Sequence, residues 1–217
     1  MRDPVKPTRR YNSPRRRQQA AATRREILQA ARRLFEERGY AGTSMAAIAA
    51  EAGVSLKTAY LAFENKSGLL RALWNMLLRG DEGAAPVGER PWFRAVLDET
   101  DPSRRLRLNV RNATRVRARA GRLLDVIRDA AAHDREIDVL WRRIQDEFYE
   151  NQRTVVESLR RDRALRPGLG ADRAADVLWT LNHPDVYRLL VGERGWTPAR
   201  YERWLGDLLC AQLLREG

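Results

Sequence analysis

The amino-acid sequence predicts an all-α protein in which an N-terminal helix-turn-helix domain precedes a larger helical domain. Three observations point to this fold. Apolar residues recur at intervals of three and four along most of the 217 residues, which is the spacing of a buried helix face. Helix-capping residues such as Ser, Thr, Asn and Gly stand between these periodic segments. No segment shows the sustained apolar-polar alternation that is typical of a half-buried strand.

The first helix is expected to begin at Thr23, because Thr23 and Glu26 have the spacing of a capping box. Gly39 is placed to end that helix in the left-handed conformation. Thr43 and Ser55 can then cap two short helices. A glycine-containing turn between two such helices is typical of a helix-turn-helix.

Three segments follow from the composition. Residues 1–22 contain three prolines and two arginine clusters without apolar periodicity, so they are expected to form a disordered basic arm. Residues 23–78 are expected to form the helix-turn-helix domain, with Asn65 capping its fourth helix. Residues 79–217 begin with a segment rich in Gly, Pro and acids and then become helical throughout, which predicts a second domain.

The charge of the chain favours a polyanionic partner, and its composition argues against catalysis. The formal net charge is +12, of which residues 1–25 carry +8. One cysteine and two histidines make neither a zinc site nor a credible catalytic triad, and glycine-rich phosphate loops are absent. We therefore expect no enzyme activity, no metal and no cofactor. Since the sequence shows neither a membrane-spanning apolar run nor a secretory signal, a cytoplasmic location is expected.

The N-terminal domain resembles that of TetR-family transcriptional regulators. About a quarter of the chain carries the matching positions, which are Ile27, Leu28, Ala30, Ala31, Leu34, Phe35, Gly39, Tyr40, Thr43, Ile48, Ala49, Glu51, Ala52, Gly53, Val54, Ser55, Thr58, Tyr60, Phe63, Lys66, Leu69 and Leu70. Two positions depart from the family pattern. Lys57 stands where Gly or Pro is common, and Ala62 where His or Tyr is common, so the family's base preference does not carry over.

The resemblance implies a recognition helix whose first residues reach the base edges of DNA, here Ser55, Leu56, Lys57 and Thr58. Lys57 can donate to guanine and Leu56 can contact a thymine methyl group. By the same resemblance Thr43, Tyr60 and Lys66 hold phosphates. A purely structural role stays open for four of these residues. Thr43 and Ser55 could be present simply as helix caps, Tyr60 as a core aromatic residue, and Lys66 as an ordinary residue of the first turn of its helix.

The basic arm allows two interpretations. Arg15, Arg16 and Arg17 lie far enough ahead of the first helix to enter a minor groove, as the arms of some helix-turn-helix proteins do. Alternatively, they form a solvated tail that adds only non-specific attraction.

The family's second domain usually binds a small molecule and forms a homodimer, and its sequence varies. We expect Asn109, Asn112 and His183 to supply polar groups to a cavity, with Trp141 and Trp179 as aromatic walls; ordinary core packing is the alternative for the tryptophans. Leu189, Trp204 and Leu208 are assigned to the dimer interface. The predicted function is a repressor that binds a pseudo-palindromic operator in double-stranded DNA and is released by a small-molecule effector. The alternative is an architectural DNA-compacting protein without an inducer.

Overall fold

The computed structural model describes residues 14–79 and 87–215, and in these ranges the chain is helical almost throughout. The α-helices in this described part are α1 (Pro14–Arg38), α2 (Met45–Glu51), α3 (Leu56–Phe63), α4 (Lys66–Arg79), α5 (Pro91–Asp98), α6 (Pro102–Ala131), α7 (Arg135–Arg161), α8 (Ala171–Leu181), α9 (Pro184–Tyr187) and α10 (Pro198–Leu213). A π-helical segment, Arg188–Glu193, follows α9. The predicted all-α fold is confirmed.

The chain divides into two compact units between Leu70 and Arg71. This boundary lies inside α4 and not after residue 78, where the composition predicted it. The reason is that α4 is one continuous helix whose residues are shared between the units, so the change of unit leaves no signal of proline or glycine at that point.

The structure corrects the predicted start of the first helix. Helix α1 begins at Pro14, and the half-buried Thr23 lies inside it rather than at its cap. Proline is favoured in the first turn of a helix, and the glutamines and alanines at positions 18–22 have high helix propensity, so these residues extend the helix ahead of the capping-box pattern. The rest of the expected arm, residues 1–13, lies outside the described residues.

Unit 1 is held together by the apolar faces of its helices. Helix α2 packs against α1 and α3. The face of α1 predicted from the sequence is buried, including the fully inaccessible Ile27 and Phe35, and α3 contributes Ala59 and Phe63 to the same interior. Gly39 ends α1 with a φ of 69°, as its position predicted.

The joint between α3 and α4 is tight. Glu64, which follows α3, adopts a φ of 60°, and Asn65 Oδ1 accepts a hydrogen bond of 2.7 Å from Gly68 N at the start of α4, as expected of a cap. A Cβ atom at Gly68 would lie 2.7 Å from the carbonyl oxygen of Phe63 and 3.1 Å from Asn65 Oδ1. Glycine is therefore required at position 68 by the close approach of the two helices.

Unit 2 is built around α6 and α7. Helix α6 packs against α5, α7 and α10, and α7 packs against α8. The core they enclose is almost entirely apolar and includes Val96, Leu106, Val110, Val155, Leu159, Leu178, Tyr201, Leu205 and Leu209. The helical path breaks at Asn182, because α8 ends at Leu181 and Pro184 begins α9. Asn182 itself is fully buried.

Candidate DNA-binding helix and internal cavity

Helices α2 and α3 form the helix-turn-helix. Ser55 caps α3, accepting a hydrogen bond of 3.1 Å from Thr58 N and lying 2.8 Å from the Thr58 hydroxyl. Gly53, in the turn before it, has a φ of 66°, a conformation that glycine adopts without strain. The turn and the cap together fix where the first residues of α3 point.

The outward face of α3 is unusually apolar for a surface. Leu56, Tyr60 and Leu61 are 43%, 46% and 78% exposed, and they account for three of the five large hydrophobic side chains that are exposed in the described part of the chain. Lys57 is exposed on the same face. Such a face, with one cation and several apolar groups, is suited to the floor of a DNA major groove, which offers acceptors on guanine and methyl groups on thymine.

The alternative of a core position for Tyr60 is therefore wrong, since its side chain is half exposed. Leu61 is an exposed residue of this face that was not predicted from the sequence. Its position gave a usable signal, because Leu61 falls outside the Ala59 and Phe63 stripe that packs inward and lies four residues after Lys57, on the same helix face.

Thr43 is buried and does not present its hydroxyl to a phosphate. Only 2% of the residue is exposed, and Oγ1 lies 3.1 Å from the carbonyl oxygen of Leu34 and 2.8 Å from that of Gly39. The cap of α2 is the next residue, Ser44, which accepts a hydrogen bond of 3.1 Å from Ala47 N. Both the cap and the phosphate contact predicted for Thr43 are thus corrected; Thr43 ties the end of α1 to the start of α2.

Lys66 also turns inward. Its Nζ donates to the carbonyl oxygens of Tyr40 at 2.9 Å and Thr43 at 3.0 Å and lies 4.0 Å from the centre of the Tyr40 ring. These contacts hold the ammonium group within the protein and give Lys66 a structural role, and its phosphate contact stays a prediction. The exposed basic residues that the sequence named and the structure describes are Lys57 on α3 and Arg16 and Arg17 in the first turn of α1; Arg15 lies in the same turn.

Unit 2 contains a cavity of about 110 Å³. Asn109 and Asn112, both predicted from the sequence, line it. The predicted Trp141, Trp179 and His183 are absent from its lining; the indole rings in the wall are those of Trp74 and Trp92. The composition shows that tryptophans are abundant but does not determine which of them face a cavity.

His183 contacts a residue that lines the cavity but does not line the cavity itself. Its Nε2 is 3.1 Å from Oε1 of Gln145, which lines the cavity, and its Nδ1 accepts a hydrogen bond from Asp185 N at the start of α9. Its ring packs edge-on against Trp179 at 5.2 Å between centroids. Burial lowers the pKa of His183, although Asp185 opposes the effect, so the ring is neutral at pH near 7.

A buried polar network crosses the cavity wall. Asn109 Nδ2 donates to Gln152 Oε1 at 2.9 Å, and Asn182 Nδ2 lies 3.2 Å from the same oxygen. Arg117 donates from Nη2 to the carbonyl oxygen and the side-chain oxygen of Asn182. The sequence argument did not identify Arg117 or Gln152. Arg117 is 65 residues from its partner Asn182. Gln152 is 43 residues from Asn109 and 30 from Asn182, so no local sequence pattern marks either residue.

The residues assigned to a dimer interface differ in accessibility. Leu189 is 45% exposed, whereas Trp204 and Leu208 are half-buried. The Trp204 ring packs edge-on against Trp196 at 5.6 Å between centroids.

Metal sites and membrane spans are both absent from the part of the chain that the structure describes. Within residues 14–79 and 87–215, no group of three or more His, Cys, Asp and Glu side chains is arranged to hold a metal ion. In those same ranges no helix combines the length and the apolar character needed to cross a membrane.

Sequence comparison connects the helix-turn-helix to known proteins. Residues 27–73 match the family model described as bacterial regulatory proteins, tetR family. The HTH-type transcriptional regulator TtgR of Pseudomonas putida is 35% identical over 113 residues, which are 51% of this chain and 51% of TtgR. The HTH-type transcriptional regulator AcrR of Shigella flexneri is 41% identical over 59 residues, 27% of each chain. The alignments thus span about half the length of the curated relatives, or less.

Solved structures extend the likeness of the fold across most of the chain. NalD, the secondary repressor of the MexAB-OprM multidrug efflux pump in Pseudomonas aeruginosa, superposes with a TM-score of 0.71 at 24% identity, covering 91% of this chain and 100% of NalD. The SmeT–triclosan complex superposes with a TM-score of 0.69 at 20% identity, covering 90% of this chain and 93% of SmeT. Residues 27–73 thus carry a helix-turn-helix of the tetR family, and the chain resembles TetR-family transcriptional regulators in sequence over about half its length and in fold over most of it.

Proposed function

We propose that this chain is a transcriptional repressor that works as a homodimer in the cytoplasm, binds a pseudo-palindromic operator in double-stranded DNA, and releases it when a small molecule occupies the cavity of unit 2. The observation that carries the proposal is the outward face of α3. It presents Lys57 together with exposed Leu56, Tyr60 and Leu61 directly after the Ser55 cap, inside the segment that matches the TetR family model. No catalytic activity is assigned.

This face supports recognition of bases and not only of phosphates. A helix-turn-helix protein places the N-terminal residues of its recognition helix against base edges in the major groove. Lys57 supplies a donor for guanine O6 and N7, and the leucines supply apolar contacts for thymine methyl groups. The Tyr60 hydroxyl and the basic start of α1 are suited to phosphate oxygens, which position the protein without reading sequence.

DNA protection upstream of the protein's own gene would identify the operator. In a dimer with a two-fold axis, the half-site centres should lie about 34 Å or a multiple of it apart. Lys57→Ala should weaken binding to the protected sequence by about 1–3 kcal/mol and relax the base preference at one position of each half-site, while random DNA is affected less. If Lys57→Ala weakened both DNAs equally, Lys57 would contact phosphate, and the chain would fit the architectural alternative better.

Repression, rather than activation, of transcription is supported by the likeness to NalD, which is itself a repressor. The experiment that tests it is transcription from the protected promoter with and without the protein. Repression predicts that purified protein lowers transcript yield from that promoter and leaves a promoter without the protected sequence unchanged. A rise in yield would identify an activator instead.

The dimer is proposed to use Leu189, Trp204 and Leu208. Leu208→Arg should split the dimer, because a charge placed in an apolar interface has no partner there. Sedimentation velocity measures whether the variant is a monomer or a dimer. Arg203→Leu, which removes a charge from the exposed side of the same helix, is the matched control. A dimer that persists in Leu208→Arg would place the interface on another surface.

Release of DNA is proposed to act through α4. Trp74 and Leu78 of this helix line the cavity, and Arg119 of α6 donates to the carbonyl oxygens of Leu77 and Leu78 at 2.6 and 3.0 Å. A ligand in the cavity contacts the end of α4 directly. Tenfold weaker operator binding requires only about 1.4 kcal/mol of coupling between the two sites.

Triclosan, the compound in the SmeT complex, is a suitable first probe of release. Trp74 and Trp92 lie in the cavity wall, so ligand binding should change tryptophan fluorescence. Trp74→Phe should reduce that signal and alter the response of DNA binding to ligand, whereas Trp141→Phe, outside the lining, should do neither. Fluorescence that changes equally in both variants would place the ligand elsewhere.

A further inference from the structure

The cavity wall contains a buried cation that no carboxylate neutralises in the described part of the chain. Arg117 on α6 is 6% exposed and lines the cavity. Its Nη2 donates to both oxygens of Asn182, which are uncharged acceptors. Its Nη1 is buried and has no hydrogen-bond partner among the described residues. Burying a charge without an opposite charge is costly, so this arrangement calls for a specific explanation.

The groups around Arg117 do not supply a counter-charge. The Tyr187 ring lies 6.0 Å from the guanidinium carbon, a distance at which a cation–π contact is weak. Burial raises the pKa of Tyr187 and of Tyr201, even though Arg117 opposes the effect, so both phenols are neutral near pH 7. Burial also lowers the pKa of Arg117, but a guanidinium starts from so high a value that it stays protonated.

The rest of the lining is apolar or uncharged, with one exception. Glu147 also lines the cavity, but its carboxylate is 48% exposed and pairs with Arg143 one helical turn away, at 2.7 Å between Nε and Oε1. A cation that approached Glu147 would compete with Arg143 and with water. A ligand anion that reached Arg117 would meet a charge shielded from water, where electrostatic attraction is stronger.

We propose that the effector is an amphipathic organic anion, such as a carboxylate on an aromatic or aliphatic body, and that Arg117 is the residue that binds its charged end. This inference rests on the proposed effector cavity and specifies the class of compound that fills it. The carboxylate accepts from the guanidinium, and the neighbouring amides of Asn109 and Gln152 offer further polar contacts. The apolar body lies against the hydrophobic wall that includes Trp74 and Trp92.

Three probes with one skeleton test the charge preference: phenylpropanoate, phenylpropanamide and phenylpropylammonium. Calorimetry on the full-length protein should give binding of phenylpropanoate about 10- to 100-fold tighter than that of the amide, as expected for one charge-assisted hydrogen bond, and tighter still than that of the ammonium. Arg117→Met should abolish the difference between anion and amide. Arg117→Lys should retain part of it, and Arg115→Met, exposed on the same helix, should retain all of it.

Thermal unfolding separates ligand binding from a purely structural role of Arg117. If Arg117 binds the anion, phenylpropanoate raises the unfolding temperature of the wild type and of Arg115→Met but not of Arg117→Met. If Arg117 serves only to hold Asn182, Arg117→Met lowers the unfolding temperature and leaves the order of the three probes unchanged, which overturns the proposal. It is likewise overturned if phenylpropanoate does not bind, or if the ammonium binds best and Glu147→Gln removes that preference.

The proposed repressor function is measured separately, by the affinity of the protein for its protected DNA with and without phenylpropanoate. An anion that binds through Arg117 without changing DNA affinity would leave the binding site in place and refute release. DNA affinity that is absent even without ligand would refute the repressor function while the calorimetric result still decides the anion site.

Discussion

The two lysines of unit 1 that the structure describes should affect different properties when each is replaced by methionine: Lys66 the stability of the unit, and Lys57 the affinity for DNA. Lys66 makes two charge-assisted hydrogen bonds, to Tyr40 and Thr43, and contacts the Tyr40 ring, whereas Lys57 is exposed on α3. A hydrogen bond to a charged group contributes about 1.5–3 kcal/mol. The half-buried position of Lys66 reduces this value. The Tyr40 carbonyl also keeps a second donor in Thr43 N, at 3.3 Å.

Lys66→Met should therefore lower the free energy of unfolding of unit 1 by about 2–3 kcal/mol. Tryptophan fluorescence does not follow this unit, because the first tryptophan in the sequence is Trp74. Hydrogen exchange measured by mass spectrometry does, and amides in residues 27–52 that open only by unfolding of the unit should exchange about 30- to 150-fold faster. Lys57→Met, the matched control, should leave exchange unchanged and weaken operator binding.

The structural role of Lys66 is refuted if Lys66→Met leaves the stability of unit 1 unchanged and weakens DNA binding instead. Unchanged exchange in Lys66→Met, together with a uniform loss of affinity for all DNA sequences, would show that Lys66 holds a phosphate. The inward contacts of its ammonium group would then contribute little to the stability of the unit.

Three further predictions concern other buried polar groups. Thr43→Val removes a buried hydroxyl whose single proton is shared between the carbonyl oxygens of Leu34 and Gly39, so urea unfolding should show a loss of about 1–3 kcal/mol; an unchanged midpoint would contradict the buried role. Burial lowers the pKa of His183, so the unfolded state binds its proton first, and stability should fall as the pH drops below about 6.5. His183→Gln should remove that fall, and an identical pH profile in the variant would assign it to other groups. Arg119→Met should speed amide exchange in the last turn of α4 about tenfold, while Arg122→Met, exposed on the same helix, should not; equal rates in both variants would mean that Arg119 does not hold α4.

The sequence predicted the features whose physical cause is local. Gly39 and Gly53 end helices because only glycine adopts positive φ without strain, and Ser55 and Asn65 cap helices through bonds to amides three residues away. Each signal is complete within one helical turn, so these caps and helix ends follow from spacing alone. The start of α1 was mispredicted because a capping-box pattern can also occur inside a helix whose flanking residues have high helix propensity.

The site residues that escaped prediction depend on contacts between distant parts of the chain. Lys66 turns away from solvent because carbonyls 23 and 26 residues earlier accept its protons. Arg117 is buried against Asn182, which is 65 residues later. Nothing in the neighbourhood of an arginine on a long helix distinguishes a solvated side chain from one enclosed by two other helices, and the same holds for which tryptophans face the cavity.

The close approach at Gly68 has a mechanical consequence. There is no space for even a methyl group between the start of α4 and the carbonyl oxygen of Phe63. A change in the angle between α3 and α4 is therefore resisted at this turn, and we expect the two helices to move together. Helix α4 has 14 residues and is about 21 Å long, so a tilt of about 5° displaces one end by about 2 Å relative to the other. A shift of that size exceeds what a hydrogen bond to a base edge tolerates. Because α3 is expected to follow α4, a small tilt of α4 should disrupt the contacts that we propose between α3 and the bases.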